Sequence, residues 1–327
     1  MKQMTYLEAG REGLAEMMRE DPTVWALGED LGRGGVFGQY HGLQQEFGKD
    51  RIADTPISES CILGSAVGAA MMGTRPVVEM RFADFALCAV DELVNQAAKA
   101  RYMFGGQARV PMVVREPSGL WRSSAAQHSQ SLEAWYAHIP GLVVVMPATP
   151  ADNKSLLKQA IRCDDPVVYL EHKDLWALQG PVDDDAPDLP LGKARIARAG
   201  SQITLLSWSA MFHQAMQAAE LLAAQGVSAE VIDLRSLWPW DKATVCESVG
   251  RTGHLLIVHE AVRVGGFGAE IAATVSEKLF GQLKSAPARL AAPRIPISYA
   301  PTMENEVRIS AEQIAAAALK QIGKINA

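Results

Sequence analysis

Two short stretches carry side chains whose types and spacing could do chemistry. The first is Asp54-Thr55-Pro56-Ile57-Ser58-Glu59, just ahead of a segment with helical spacing. Ser58 is placed to act as an N-cap, and Glu59 falls in the first turn, where the helix dipole favours an anion. On residue type alone, that reads first as an ordinary helix start. The second is Ala125-Ala126-Gln127-His128-Ser129-Gln130-Ser131, a polar loop before a further helix. Imidazole can give and take protons near neutral pH. An isolated histidine in a loop is nonetheless more often a surface or hydrogen-bonding residue than a catalyst. Neither stretch alone names a reaction.

The familiar alternatives lack their minimum parts. The chain has no GxSxG elbow, no GxxxxGK[ST] loop and no HExxH pair. The glycine-rich run 32–38 follows a strand but fails the GxGxxG spacing, and Gly265-Gly266-Phe267-Gly268 fails it too. Gly64, Gly68 and Gly73, with Ala66, Ala69 and Ala70, make a helix rich in small residues. Glycine costs about 1 kcal/mol against alanine inside a helix, so this usage suggests close approach of another backbone, favouring a subunit interface.

The elements that must position these residues alternate. Apolar β-branched runs at 24–27, 76–80, 110–115, 142–146 and 167–171 predict strands buried on both faces. Helical spacing covers 5–20, 65–72, 86–103, 132–138 and 151–162, the last opened by Thr149-Pro150. Residues 180–200, rich in proline and acidic side chains at their start, read as a linker rather than an element. Strands at 203–207, 229–234, 255–258 and 288–290 then alternate with helices at 213–225, 242–249, 269–279 and 311–322. Such alternation implies parallel sheets covered by helices, hence two α/β domains, 1–179 and 201–327.

With 327 residues the chain is long enough for two cores. It holds 31 basic and 37 acidic residues, a formal charge of −6, which argues against nucleic acid or an anionic membrane as the main partner. The apolar stretch 62–73 is far short of the ~20 residues that span a bilayer, and no signal-peptide region opens the chain. Cys61, Cys88, Cys163 and Cys246 are widely spaced with no metal-ligand pattern, and read as small buried residues of a reducing, cytoplasmic compartment.

Taken together, the chain resembles the beta subunit of the thiamine-diphosphate-dependent decarboxylase component of 2-oxo acid dehydrogenase complexes. The likeness rests on Leu27-Gly28-Glu29-Asp30, Gly34-Gly35-Val36-Phe37, the run 54–59, Arg75-Pro76 to Glu79 and Phe82-Ala83-Asp84-Phe85. It continues through Gln127-His128-Ser129-Gln130-Ser131, Ile139-Pro140-Gly141, Asp165-Pro166-Val167-Val168 and Asp233-Leu234-Arg235. It implies a pyrimidine-binding transketolase-like domain followed by a transketolase C-terminal-like domain.

The resemblance reverses the reading of both stretches. It implies that Glu59 is catalytic, bonding the aminopyrimidine of thiamine diphosphate, with Glu29, Ile57, Ser58, Arg81 and Phe85 as further cofactor contacts. It implies a substrate border of Phe82, Ala83, Asp84 and Phe85, with His128 binding substrate and assisting acyl transfer. The usual GDG motif and its following Asn are missing, so the magnesium and diphosphate half must come from an alpha subunit in an α2β2 assembly. Several relatives bind potassium through backbone carbonyls, which here would be those of Met112, Ala160, Ile161, Cys163 and Asp165. The implied activity is oxidative decarboxylation of pyruvate or a related small 2-oxo acid, with acyl transfer to a lipoyl-bearing acyltransferase core. Acetoin cleavage is the alternative, and a non-catalytic assembly subunit is a reading of a different class.

Overall fold

The computed structural model describes residues 1–324; the end of the expected second domain, 325–327, lies outside them. The chain divides into two compact units, Met1–Ser118 with Trp135–Leu191, and Gly119–Ala134 with Gly192–Ala327. The expected division at 179/201 is continuous in sequence, whereas here Gly119–Ala134 leaves the first unit and is counted with the second.

In the first unit, the parallel strands are β2 (Val24–Gly28), β3 (Ile52–Asp54), β4 (Arg75–Glu79), β5 (Val113–Ser118), β6 (Val143–Val145) and β7 (Val167–His172). They lie in the order β6-β7-β5-β4-β2-β3. Helix α1 (Tyr6–Glu20) starts with a capping box: Glu8 N–H donates to Thr5 Oγ1 at 3.1 Å, and Thr5 N–H donates to Glu8 Oε2 at 2.8 Å. Leu14, Met17 and Met18 of α1 are buried in one cluster with Leu156, Leu157 and Ile161 of α7 (Pro150–Arg162) and with Val24, Val77 and Val167 of the sheet. Around Lys154, whose ammonium lies 2.8 Å from Glu12 and 2.7 Å from Glu16, charges line the edge of this contact.

Several expectations shift for local reasons. The helix expected over 86–103 is broken into α4 (Ala83–Ala86), a 3₁₀ turn at Leu87–Ala89, a π-helical stretch Asp91–Ala97 and α5 (Ala98–Met103). Asn95 and Gln96 both donate to Asp91, at 2.7 and 3.1 Å, and the second bond spans five residues, the period of a π turn. The strand expected at 110–115 starts three residues later, beyond Pro111, which has no N–H to give a ladder. The presumed linker is not free of elements. In it, β8 (Gln179–Val182) pairs antiparallel with β1 (Lys2–Thr5), an edge where Pro181 is tolerated, and β9 (Arg195–Arg198) pairs antiparallel with β11 (Ala229–Asp233). The cysteines are not buried as expected: Cys61 and Cys88 are exposed, and Cys163 and Cys246 are half-buried.

In the second unit β10 (Ile203–Ser207), β11 (Ala229–Asp233), β13 (Leu255–Val262) and β14 (Ala288–Ala292) are parallel, and β9 closes one edge antiparallel. The order is β14-β13-β10-β11-β9, with β12 (Ser236–Trp238) following β11 in the chain. Helices α8 (Ala210–Ala223), α9 (Lys242–Thr252), α10 (Gly268–Leu279) and α12 (Ala311–Gln321) bury Ala215, Val245, Ile271 and Ile314. Short α11 (Pro301–Val307) buries Glu304. Among the described residues no helix is long and apolar enough to cross a membrane.

Candidate functional site

Residues nominated in the first unit emerge from the carboxyl ends of three neighbouring parallel strands, where α/β sheets place their ligand sites. Glu29 follows β2, Ile57, Ser58 and Glu59 follow β3, and Arg81, Phe82, Ala83, Asp84 and Phe85 follow β4. Glu59 is the first residue of α3 (Glu59–Met71), as the dipole argument expects. Ser58 stands at the cap position, but its hydroxyl makes no cap bond. It donates instead to the Pro56 carbonyl at 3.1 Å. Ile57 is 74% exposed, an apolar side chain offered beside the Glu59 turn. A carboxylate at a helix start with an apolar neighbour fits an aminopyrimidine ring, which needs one ion-strength hydrogen bond and a dry face.

Beside it stands an aromatic wall. The Phe85 ring meets Phe82 edge-on at 5.4 Å, Phe82 meets Phe37 edge-on at 5.9 Å, and Phe37 lies 3.9 Å from Trp176. The buried Lys173 ammonium sits 4.8 Å from the Phe82 ring centre, a cation–π contact. Arg81 reaches a neighbouring acid: its Nη1 is 3.4 Å from buried Glu29 Oε2 and 3.7 Å from Asp30 Oδ2. Beneath the wall Arg115 is clasped by Glu171 through two bonds of 2.9 and 3.0 Å, with Glu79 at 3.7 Å. Burial pushes the Glu79 carboxyl up to about 7, against the pull of Arg115, and Gln39 Nε2 donates to it at 2.9 Å.

His128 lies in the other unit, in Gly119–Ala134. The backbone of this segment is strained, with Arg122, Ser123 and Ala125 at φ of 42, 59 and 62°. Two glutamates hold it. Glu260, at the end of β13, accepts from Leu120 N–H at 2.8 Å and from Ser131 Oγ at 3.2 Å. Glu304, buried on α11, accepts from Ser123 N–H at 2.7 Å and from Arg308 at 2.7 Å. A loop carrying a histidine is thus fixed by charge-assisted bonds to its backbone.

Residues 2–178 match the transketolase pyrimidine-binding domain, and residues 192–314 the transketolase C-terminal domain. The chain is 45% identical over 320 residues to the acetoin:2,6-dichlorophenolindophenol oxidoreductase subunit beta of Cupriavidus necator, covering 94% of each. It is 44% identical to the 2-oxoisovalerate dehydrogenase subunit beta of Bacillus subtilis, covering 97% of this chain and 98% of that one. It is 43% identical to a mitochondrial pyruvate dehydrogenase E1 beta subunit of Oryza sativa, over 93% of this chain and 82% of that one. The chain belongs to this family of dehydrogenase beta subunits. A split-gene transketolase structure shares the fold, with a TM-score of 0.80 over 98% of both chains at 22% identity.

As a member of that family the beta subunit is an oxidoreductase component built on transketolase-like domains. Some of its site residues were not visible in sequence. Phe37 entered only through the family string 34–37, with no role attached, and Trp176, its neighbour in the wall, follows a 3₁₀ turn that carried no pattern. Glu260 and Glu304 act on backbone N–H groups far away in the chain, which leaves no local signal. Glu116 could have been noticed, as a carboxylate within an otherwise buried strand. It is fully buried, and burial pushes its carboxyl well above the usual range, opposed by the Tyr136 hydroxyl and reinforced by Asp84. Asp84, expected at the substrate border, is itself buried. Of the carbonyls that the resemblance implies for potassium, two are engaged by an arginine. The Ile161 and Cys163 carbonyls both accept from Arg75 Nη1, at 3.0 Å each.

Proposed function

We propose that this beta subunit supplies the pyrimidine half of a thiamine-diphosphate site in a cytoplasmic α2β2 dehydrogenase that acts on pyruvate or a related small 2-oxo acid. The observation that carries this is the convergence of Glu29, Ile57, Glu59 and the 81–85 segment on the carboxyl ends of three adjacent strands. An alpha subunit, the partner that the relatives' names point to, brings magnesium and the diphosphate half, since the GDG motif is absent here. When bound, the cofactor would supply a thiazolium carbon acid whose deprotonated form can add to a carbonyl group.

Each residue of this chain has one task. Glu59 accepts a hydrogen bond from the pyrimidine ring nitrogen and holds the proton there, favouring the imino form of the ring. Ile57, Ser58 and Phe85 enclose the ring, and Glu29 with Arg81 fixes the floor beside it. The wall of Phe82, Phe85, Phe37 and Trp176 excludes water from the reacting centre. His128 binds the substrate's carboxylate or carbonyl and passes a proton during acyl transfer to the lipoyl group of an acyltransferase core. Identity of 45% to an acetoin-oxidising relative supports acetoin as the alternative substrate.

The test is Glu59→Gln in the complex with the alpha subunit. General-base roles are worth about 10²–10⁴-fold, so turnover should fall by at least about 100-fold while light scattering gives the same complex mass. Unchanged turnover removes the role assigned to Glu59.

A further inference from the structure

Glu79 ends β4 and is buried beside the Arg115–Glu171 pair, whereas the aromatic wall begins at Phe37, in the glycine-rich loop 34–40. Tyr40 N–H closes that loop by donating to the Gly34 carbonyl at 2.8 Å, and the Tyr40 ring lies 5.4 Å from the Arg115 guanidinium. One side chain joins the loop's tip to the same buried cluster. Gln39 is 4% exposed; its Nε2 donates to Glu79 Oε1 at 2.9 Å, and its Oε1 accepts from Phe37 N–H at 2.9 Å.

The direction of this amide is set from both ends. Turned over, it would face the carboxyl oxygen with its own carbonyl oxygen and the Phe37 N–H with an NH₂. Its seat is tight as well. Gly35 adopts φ of 75°, and a Cβ there would lie 2.9 Å from Gln39 Cδ and Oε1, so a side chain at 35 would push the amide out. From Phe37 the restraint passes to its neighbours in the wall, Trp176 at 3.9 Å and Phe82 at 5.9 Å. Besides Gln39, Glu79 is faced by Arg115 from β5 at 3.7 Å, by Glu171 from β7 and by Tyr40 from the loop. The single positive charge there, Arg115, is already clasped by Glu171.

We propose that Gln39 is a positioning residue, fastening the Phe37 part of the aromatic wall to the buried carboxyl of Glu79. The wall's part in turnover rests on the function proposed above; the fastening itself does not. The test reads hydrogen exchange of the full chain on peptides covering 31–42, and turnover on the complex with the alpha subunit. At about pH 8 Glu79, pushed up to about 7, is ionised. There Gln39→Met, of similar length but without the amide, should speed exchange in 31–42 about 10-fold, the size of one charge-assisted hydrogen bond. Its kcat should fall while KM stays within about twofold, because no group placed on the substrate has changed. Gln39→Glu sets a second carboxyl against the first. At about pH 6 the pair shares a proton and both readings should match wild type; at about pH 9 both ionise, repel, and should match Gln39→Met, each compared with wild type at the same pH. A glutamine that merely fills space would give no such pH split. Unchanged exchange in Gln39→Met, or a Gln39→Glu protein indifferent to pH, overturns the fastening. Faster exchange with unchanged kcat overturns the positioning role. A wild-type complex without turnover would refute the proposed function instead, and exchange would still decide the fastening.

Discussion

Replacing Glu304 by Gln should loosen the His128 loop while leaving the rest of the second unit intact. The loop holds three non-glycine residues, Arg122, Ser123 and Ala125, in the left-handed region. At about 1 kcal/mol each, the stored strain is about 3 kcal/mol. Against it stand the bonds from Ser123 N–H to Glu304 at 2.7 Å, from Leu120 N–H to Glu260 at 2.8 Å and from Gly119 N–H to the Gln130 carbonyl at 3.1 Å. A hydrogen bond to a charged acceptor contributes about 1.5–3 kcal/mol, and a neutral amide replacing it about half as much. The variant therefore loses about 0.75–1.5 kcal/mol of restraint, and Glu304→Ala about 2 kcal/mol, which is roughly 4–10-fold and 30-fold in loop opening. Hydrogen exchange read on peptides from 119–134 should accelerate by those factors, while peptides from β10 and β11 keep their protection. Turnover of the complex should fall in the same order, because the loop positions His128. Equal exchange in 119–134 for wild type and Glu304→Ala would refute the claim that this carboxylate holds the loop.

Two further outcomes follow from buried groups. Glu79 has its carboxyl raised to about 7 in the fold against an ordinary 4.5, so the folded chain binds the extra proton. Its contribution to stability is complete below pH 4.5 and is lost as pH rises through about 7. Glu79→Gln cannot ionise, so its urea midpoint should fall less than that of wild type between pH 5 and pH 8; identical slopes would count against the assignment. Gly141 adopts φ of 101°, and a Cβ there would lie 1.9 Å from the Ala98 carbonyl oxygen. Gly141→Ala should cost about 3 kcal/mol or more and lower the melting temperature by several degrees. A variant melting with wild type would show that this contact is soft.

How much of this was legible in sequence depended on whether the cause was local. The strand at 203–207 and the helix after Thr149-Pro150 follow from β-branched runs and a capping hydroxyl, and both are found in place. Glu59 at a helix start was legible for the same reason. The short strand β3, which delivers that residue, was not: three residues, Ile52–Asp54, are too few for a period to show. The π stretch at Asp91–Ala97 was hidden because its apolar spacing is that of a helix, and the five-residue bond from Gln96 to Asp91 that accompanies it leaves no mark on that spacing. The excursion of Gly119–Ala134 was invisible because its ties, Glu260 and Glu304, lie more than a hundred residues away in the chain. Arg75 was read only as part of a family string. Its bonds to the Ile161 and Cys163 carbonyls depend on a register between β4 and the end of α7 that no local pattern encodes.

The most direct measurement of the central claim is a dye-reduction assay with thiamine diphosphate and magnesium, run on this chain alone, on its alpha subunit alone and on the two co-purified. Pyruvate, 2-oxoisovalerate and acetoin would be compared side by side. The split-site account predicts turnover only in the mixture, with pyruvate or another small 2-oxo acid preferred. Turnover by this chain alone would contradict it, because a complete cofactor site would then lie within these 327 residues.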